Sequence, residues 1–137
     1  MPEGFVLDAF AVLAFLQNEP AAPIVAPILS DLSSTLHMSA VNLGEVLYIS
    51  GRRSGLATAM QIESELFSQP NLRIEPASWE RIRAAAQIKA AGGMSYADTF
   101  AAQLAMELGL PLVTGDREFA PLERAGRLQV FWLPQRS

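Results

Sequence analysis

The stretch Gly4-Phe5-Val6-Leu7-Asp8, running straight on into residues 9–17, decides how the rest of the chain is read. Its first four residues carry no charge and predict a short buried strand. The pattern over 9–17 predicts a helix, so Asp8 stands at the point where strand becomes helix. The same alternation repeats downstream. Helices are predicted over 22–32 after Pro20, over 41–53, and over 57–68 after Gly55. Another runs from an N-cap at Ser78 to 91, stopped by Gly92-Gly93, and another from an N-cap at Ser95 to 108, with Gly109 as its stop. The last is a short one over 117–125. Strands are predicted at 35–39, at 71–75 before Pro76, at 111–114 and at 129–133. Strands alternating with helices imply an α/β domain with a largely parallel central sheet. Sites in such sheets form beyond the carboxyl ends of the strands, so the polar residues at strand exits carry the functional question.

Composition narrows the answer. The 137 residues fit one domain, 1–137, and half of them are apolar, enough for a core without staples. There is no cysteine. That excludes thiol nucleophiles, Cys-based zinc sites and disulfide scaffolds. The start, Met1-Pro2-Glu3-Gly4, has no basic region and does not read as a secretory signal. No apolar run reaches the roughly 18 residues of a membrane span, so the expectation is a soluble, cytoplasmic domain. A net charge of −4 argues against coating nucleic acid by a positive field. Contact with nucleic acid would rest on local arginines and a bound cation. Nine of the ten basic residues are Arg, a bias that suits phosphate contacts and equally reflects genome composition.

The chain has four aspartates: Asp8, Asp31, Asp98 and Asp116. Asp8, Asp98 and Asp116 fall at predicted strand exits or helix starts, and each has a capping explanation; Asp98 stands three residues after Ser95, the spacing of a capping box. Glu45 resists that explanation, because its helix neighbours Val41, Tyr48 and Ile49 place it on an apolar face. A carboxylate there is costly unless it is neutralised. Ala101, Ala102 and Ala105 continue the face of Asp98 as a stripe of small residues. Four carboxylates at one spot repel strongly. Oxygen-seeking divalent cations, Mg2+ or Mn2+, are natural neutralisers, and two such ions would balance four negative charges. With no Cys and one His, water activated by a cation is the remaining route to a nucleophile, as in two-metal phosphodiester hydrolysis.

The segments Phe5-Val6-Leu7-Asp8-Ala9, Ser39-Ala40-Val41-Asn42-Leu43-Gly44-Glu45-Val46, Ser95-Tyr96-Ala97-Asp98-Thr99 and Val113-Thr114-Gly115-Asp116-Arg117-Glu118-Phe119 resemble the four acidic motifs of the PIN-domain family. Within that family the chain is most similar to the VapC-like toxins of toxin–antitoxin pairs. The resemblance covers nearly the whole sequence. It implies a three-layer α/β/α fold with a parallel five-stranded sheet, and an endoribonuclease dependent on one or two Mg2+ or Mn2+ ions. It also implies a homodimer silenced by a cognate antitoxin, whose Arg-bearing segment would enter the acidic pocket. Carried over by position, Asp8, Glu45, Asp98 and Asp116 would be the metal-binding acids, and Thr114 would orient an acid or water. The acidic overall charge is a departure that leaves open how RNA is held.

Arg52, Arg53 and Arg117 are candidate phosphate contacts; the first two also suit a helix C-terminus, and Arg117 equally suits pairing with a neighbouring acid. His37 reads as structural, and Glu63 and Glu65 as a solvated helix face. Phe10, Phe15, Phe67, Trp79 and Trp132 read as core or interface because they do not cluster with basic residues. Residues 12–16 and 24–29 offer apolar surface for a dimer or antitoxin. Two other functions compete. A phosphoacceptor receiver domain needs a mid-chain strand-exit aspartate and a late lysine, and here the only lysine, Lys89, precedes two of the acids. A non-catalytic PIN scaffold would tend to lose one of the acids, and all four are present.

Overall fold

The computed structural model describes residues 3–135. Met1 and Pro2, part of the opening read against a secretory signal, lie outside them. β1 (Gly4–Leu7) leads into α1 (Ala9–Leu16) and α2 (Ala22–Ser30). β2 (Thr35–Ser39) leads into α3 (Ala40–Ser54) and α4 (Leu56–Ser68), and β3 (Leu72–Glu75) into α5 (Trp79–Ala90) and α6 (Tyr96–Leu108). β4 (Leu112–Thr114), a 3₁₀ turn (Arg117–Phe119), α7 (Ala120–Arg124) and β5 (Val130–Trp132) follow. The expected elements are all present. The one predicted helix that differs in kind is 117–125, which divides into the 3₁₀ turn and α7. Asp116 caps the first piece, and Pro121, which lacks an N–H, falls in the opening turn of the second.

All five strands are parallel, in the order β3-β2-β1-β4-β5. Helices cover both faces, so the strands are nearly continuous apolar runs whose alternate residues feed two different cores. Leu7, Leu36, Met38, Leu72 and Val113 pack beneath α1–α4. Val6, Leu112 and Val130 pack beneath α5 and α6 on the other face. The α6 stripe of Ala101, Ala102 and Ala105 is almost wholly buried, which lets that helix lie close to the sheet. This is the expected three-layer α/β/α arrangement.

The topology also places a crevice. From β1 the chain moves outward through β2 and β3, then returns to the other side of β1 as β4. The connections leaving the carboxyl ends of β1 and β4 therefore diverge, and open a cleft at the topological switch point. Asp8 and the Thr114-Gly115-Asp116 turn stand at those two ends.

β1 begins under tight constraint. Gly4 pairs with Thr35, and a Cβ on Gly4 would run into the Thr35 carbonyl oxygen, which belongs to the neighbouring strand's backbone. Gly4→Ala is expected to destabilise the fold by about 1–3 kcal/mol, seen as a lower urea midpoint with an unchanged slope. A wild-type midpoint would show that β1 does not need so close an approach.

Candidate metal centre

Asp8 leaves β1 and caps α1, its Oδ1 accepting the Ala11 N–H at 2.9 Å. The capping explanation holds, but it uses one oxygen. The other, Oδ2, accepts the Thr114 hydroxyl at 2.5 Å, and Thr114 Oγ1 in turn accepts the Asp116 N–H at 3.0 Å. Asp8 is 1% exposed and Thr114 is fully buried. The turn after β4 brings Gly115 against Phe10 in the first turn of α1: a Cβ on Gly115 would meet the tip of that ring and force it to shift. Gln135 donates to the Gly115 carbonyl and further fixes this turn.

For Asp98 the capping explanation fails in an informative way. Ser95 does cap α6, accepting the Asp98 N–H at 3.2 Å. In a capping box the side chain of Asp98 would answer by accepting the Ser95 N–H. Here Glu118 Oε2 does so instead, at 3.4 Å, and Asp98 turns into the cluster at 9% exposure. Asp116 caps the 3₁₀ turn through the Glu118 N–H at 3.0 Å.

Glu45 comes from α3. Its helix face is less apolar than its sequence neighbours imply, since Tyr48 is largely exposed. Glu45 Oε1 is nevertheless buried with no hydrogen-bond partner. Asn42, one turn earlier and fully buried, donates to the Ala97 carbonyl at 3.0 Å and pins α3 to the first turn of α6. Its own Oδ1 is also unpartnered.

The structure thus brings Asp8, Glu45, Asp98 and Asp116 together, with Asp116 the charge that raises all three others. It adds Glu118, which the sequence reading missed. Asp98, Asp116 and Glu118 each offer a carboxylate oxygen, and these oxygens lie within 4.8 Å of one another. A continuous α-helix would point residues 116 and 118 roughly 200° apart; the capped 3₁₀ turn keeps both beside α6. The available signal was the short spacing Asp116-Arg117-Glu118.

Burial drives the electrostatics. It pushes Asp98 up to about 9, with the bonded Glu118 carboxyl and the charges of Asp116 and Asp8 adding to the rise. It pushes Asp8 up to about 7, against the Thr114 and Ala11 hydrogen bonds and with help from Asp116 and Glu45. Glu45 is raised mainly by burial; the nearby Asn42 amide tempers that rise without making a regular hydrogen bond to Oε1. The donors are all hard oxygens and at least one is an orphaned buried carboxylate atom. That chemistry fits Mg2+ or Mn2+.

The remaining candidates lie at the rim or beyond it. Arg52 and Arg53 occupy the last turn of α3, with Arg52 over the Tyr48 ring at 5.7 Å. Arg117 is exposed and sits 4.6 Å over Trp132. Aromatic and basic residues therefore do cluster, contrary to the sequence reading, and Trp79 likewise carries Arg83 at 5.5 Å. Phe67 and Trp79 are exposed rather than core. His37 is structural as read: its Nδ1 meets Glu75 at 2.7 Å, and Arg81 links Glu75 to Glu107. Glu63 and Glu65 are exposed. Within residues 12–16 and 24–29, Val12, Ala14 and Val25 are core, while Phe15 and Ile24 remain partly exposed.

Comparison with known proteins agrees with this architecture. The family model of the PIN domain matches residues 5–125. The fold is similar to the Mycobacterium tuberculosis toxin VapC20, described as cleaving the sarcin–ricin loop, with a TM-score of 0.75 at 17% identity over 93% of this chain and 98% of that one. It is similar to DNA-bound VapBC of Salmonella typhimurium, with a TM-score of 0.73 at 21% identity over 96% and 98% of the two chains. It is also similar to FitAcB of Neisseria gonorrhoeae, at 0.66 and 21% over 93% and 96%. No curated protein matches the sequence.

The raised carboxyls make stability depend on pH with a definite sign. Asp8 and Asp98 hold protons in the folded state that an unfolded carboxylate releases near 4, so the folded state binds more protons above that pH. Cation-free protein should therefore lose stability as pH rises from about 4 through about 7 and on toward about 9. Thermal unfolding in chelator across this range checks it. Asp98→Asn should flatten the decline and raise the cation-free Tm at neutral pH by about 4 °C, while added Mg2+ should stabilise the wild type more than the variant. A pH-independent Tm in chelator would contradict the burial of these charges.

Proposed function

The chain belongs to the PIN-domain family, and from that premise we propose that it is a Mg2+- or Mn2+-dependent endoribonuclease, the toxin of a VapBC-type toxin–antitoxin pair. The observation that carries this reading is the convergence of five carboxylates at the β1/β4 switch point, two of them raised into the range of about 7 to 9. Such a site is unfavourable until it holds positive charge, and its oxygen donors suit one or two hard cations.

Asp98, Asp116 and Glu118 would form the primary grip, with Asp8 and Glu45 completing it. A bound cation would supply charge neutralisation, polarisation of a water for in-line attack on a phosphodiester, and stabilisation of the leaving oxygen. The chain's own contribution is positioning. Thr114 donates to Asp8 Oδ2 and so fixes the orientation of that carboxylate, while the Asp116 N–H fixes the Thr114 oxygen. Asn42 holds the helix bearing Glu45 against the helix bearing Asp98. Together these contacts hold the acids on rigid elements, as outer-shell bonds do in metal sites generally. Arg52, Arg53 and Arg117 would meet RNA phosphates around this centre.

A cognate antitoxin, a homodimer and a cytoplasmic setting belong to the same reading. The solved relatives described as toxin–antitoxin complexes support the partner. So does the α3–α4 face, where Tyr48, Leu56 and Met60 are exposed around an apolar groove. Among the described residues no helix is long and apolar enough to cross a membrane.

Asp8→Asn and Asp98→Asn, which remove charge at nearly constant volume, are each expected to cut RNA cleavage by more than about 100-fold, and Thr114→Val by about 10- to 100-fold. Circular dichroism should remain that of the wild type. Cleavage at the wild-type rate by either Asn variant would remove that residue from the centre. Chelator should stop cleavage and Mn2+ should restore it; full turnover in chelator would end the metal-dependent reading.

A further inference from the structure

We propose that Arg117, laid on the ring of Trp132, forms an RNA-binding subsite at the rim of the acidic pocket that takes a phosphodiester next to the one cleaved; this rests on the nuclease reading above. The need for such a subsite follows from charge. Clustered carboxylates in a chain of net charge −4 disfavour the approach of a polyanion, so approach depends on local cations.

Three arginines lie over aromatic rings among the described residues. Arg52 with Tyr48 and Arg83 with Trp79 each fall four positions apart on one helix, where such pairs arise from helical spacing alone. Arg117 with Trp132 differs. It joins the turn after Asp116 to β5, and at 4.6 Å it is the tightest of the three. The β4–β5 register sets Trp132 opposite Thr114, whose hydroxyl holds Asp8. The backbone at Trp132 is therefore one strand spacing, about 4.8 Å, from the strand that leads into Asp116. The ring is also anchored: the indole Nε1–H donates to both Glu123 carboxylate oxygens at 3.1 Å. Beyond it, the Leu133 N–H returns to the Thr114 carbonyl at 2.8 Å.

The guanidinium forms no ion pair among the described residues. Asp116 and Glu118 flank Arg117 in sequence, yet neither forms an ion pair with it. An arginine placed only to balance the acids would pair with one of them. This one is exposed, sits over a ring that is itself anchored, and has N–H groups free for an incoming anion. That geometry suits two-pronged contact with a phosphate.

The test is steady-state cleavage of a labelled single-stranded RNA with Mn2+ by wild type, Arg117→Ala, Trp132→Leu and Arg83→Ala. A phosphate contact made equally in ground and transition states raises KM and spares kcat. Arg117→Ala is expected to raise KM about tenfold with kcat within about twofold. It should also flatten the dependence of log(kcat/KM) on log salt by about one unit. Trp132→Leu should raise KM as well, and Arg83→Ala, the same kind of pair on α5, should match wild type. Arg117→Ala with wild-type KM and salt dependence would overturn the subsite, as would an equal loss in Arg83→Ala. Arg117 is exposed, so its variant decides the matter even if Trp132→Leu does not fold. A wild-type protein that cuts no RNA with either metal would overturn the nuclease reading itself, a different result from an unaffected Arg117→Ala.

Discussion

The hydrogen bond from the Thr114 hydroxyl to Asp8 joins the ends of two adjacent parallel strands, and the geometry of the acidic centre depends on it. Asp8 follows β1 and Asp116 follows β4, residues that the sequence holds more than a hundred positions apart. Parallel pairing brings the strand ends level, and the Thr114 side chain then couples them, donating to one acid and accepting from the backbone of the other. Because Thr114 is fully buried, no water competes for either bond.

Around that link the molecule accepts an electrostatic cost. Burial and mutual repulsion push Asp8, Glu45 and Asp98 upward together, and Asp116 is the charge common to all three. Two apolar cores, one on each face of the sheet, hold the strands and helices that carry these groups, so the acids cannot relax apart. The capping bonds at Asp8, Ser95 and Asp116 share this logic. Each satisfies a backbone N–H at the start of a helix or turn, and those of Asp8 and Asp116 also fix the direction of the capping carboxylate.

The same economy extends to the rim. The turn that delivers Asp116 to the centre also brings the exposed Glu118 beside Asp98 and sets Arg117 over Trp132. A tight 3₁₀ turn serves this better than a regular helix, because three consecutive side chains are distributed between the acids and the edge strand. Pro121 limits the extent of that turn by opening α7 directly after it.

Much of this was legible in the chain itself. Alternating strand and helix patterns with Gly and Ser punctuation determined the α/β class and most element ends, since those signals are local. Strand exits marked Asp8 and Asp116, a helix start marked Asp98, and an apolar helix face marked Glu45. The four motifs in order determined the family. What the sequence could not decide was which capping explanation was complete. Asp8 caps its helix and still reaches Thr114, whereas Asp98 leaves its half of the capping box to Glu118. Nor did it reveal Glu118 as a partner acid or Trp132 as the seat of Arg117. Those facts depend on strand register and on the path of one tight turn, and both are set by packing between residues far apart in the chain, where local propensity carries no information.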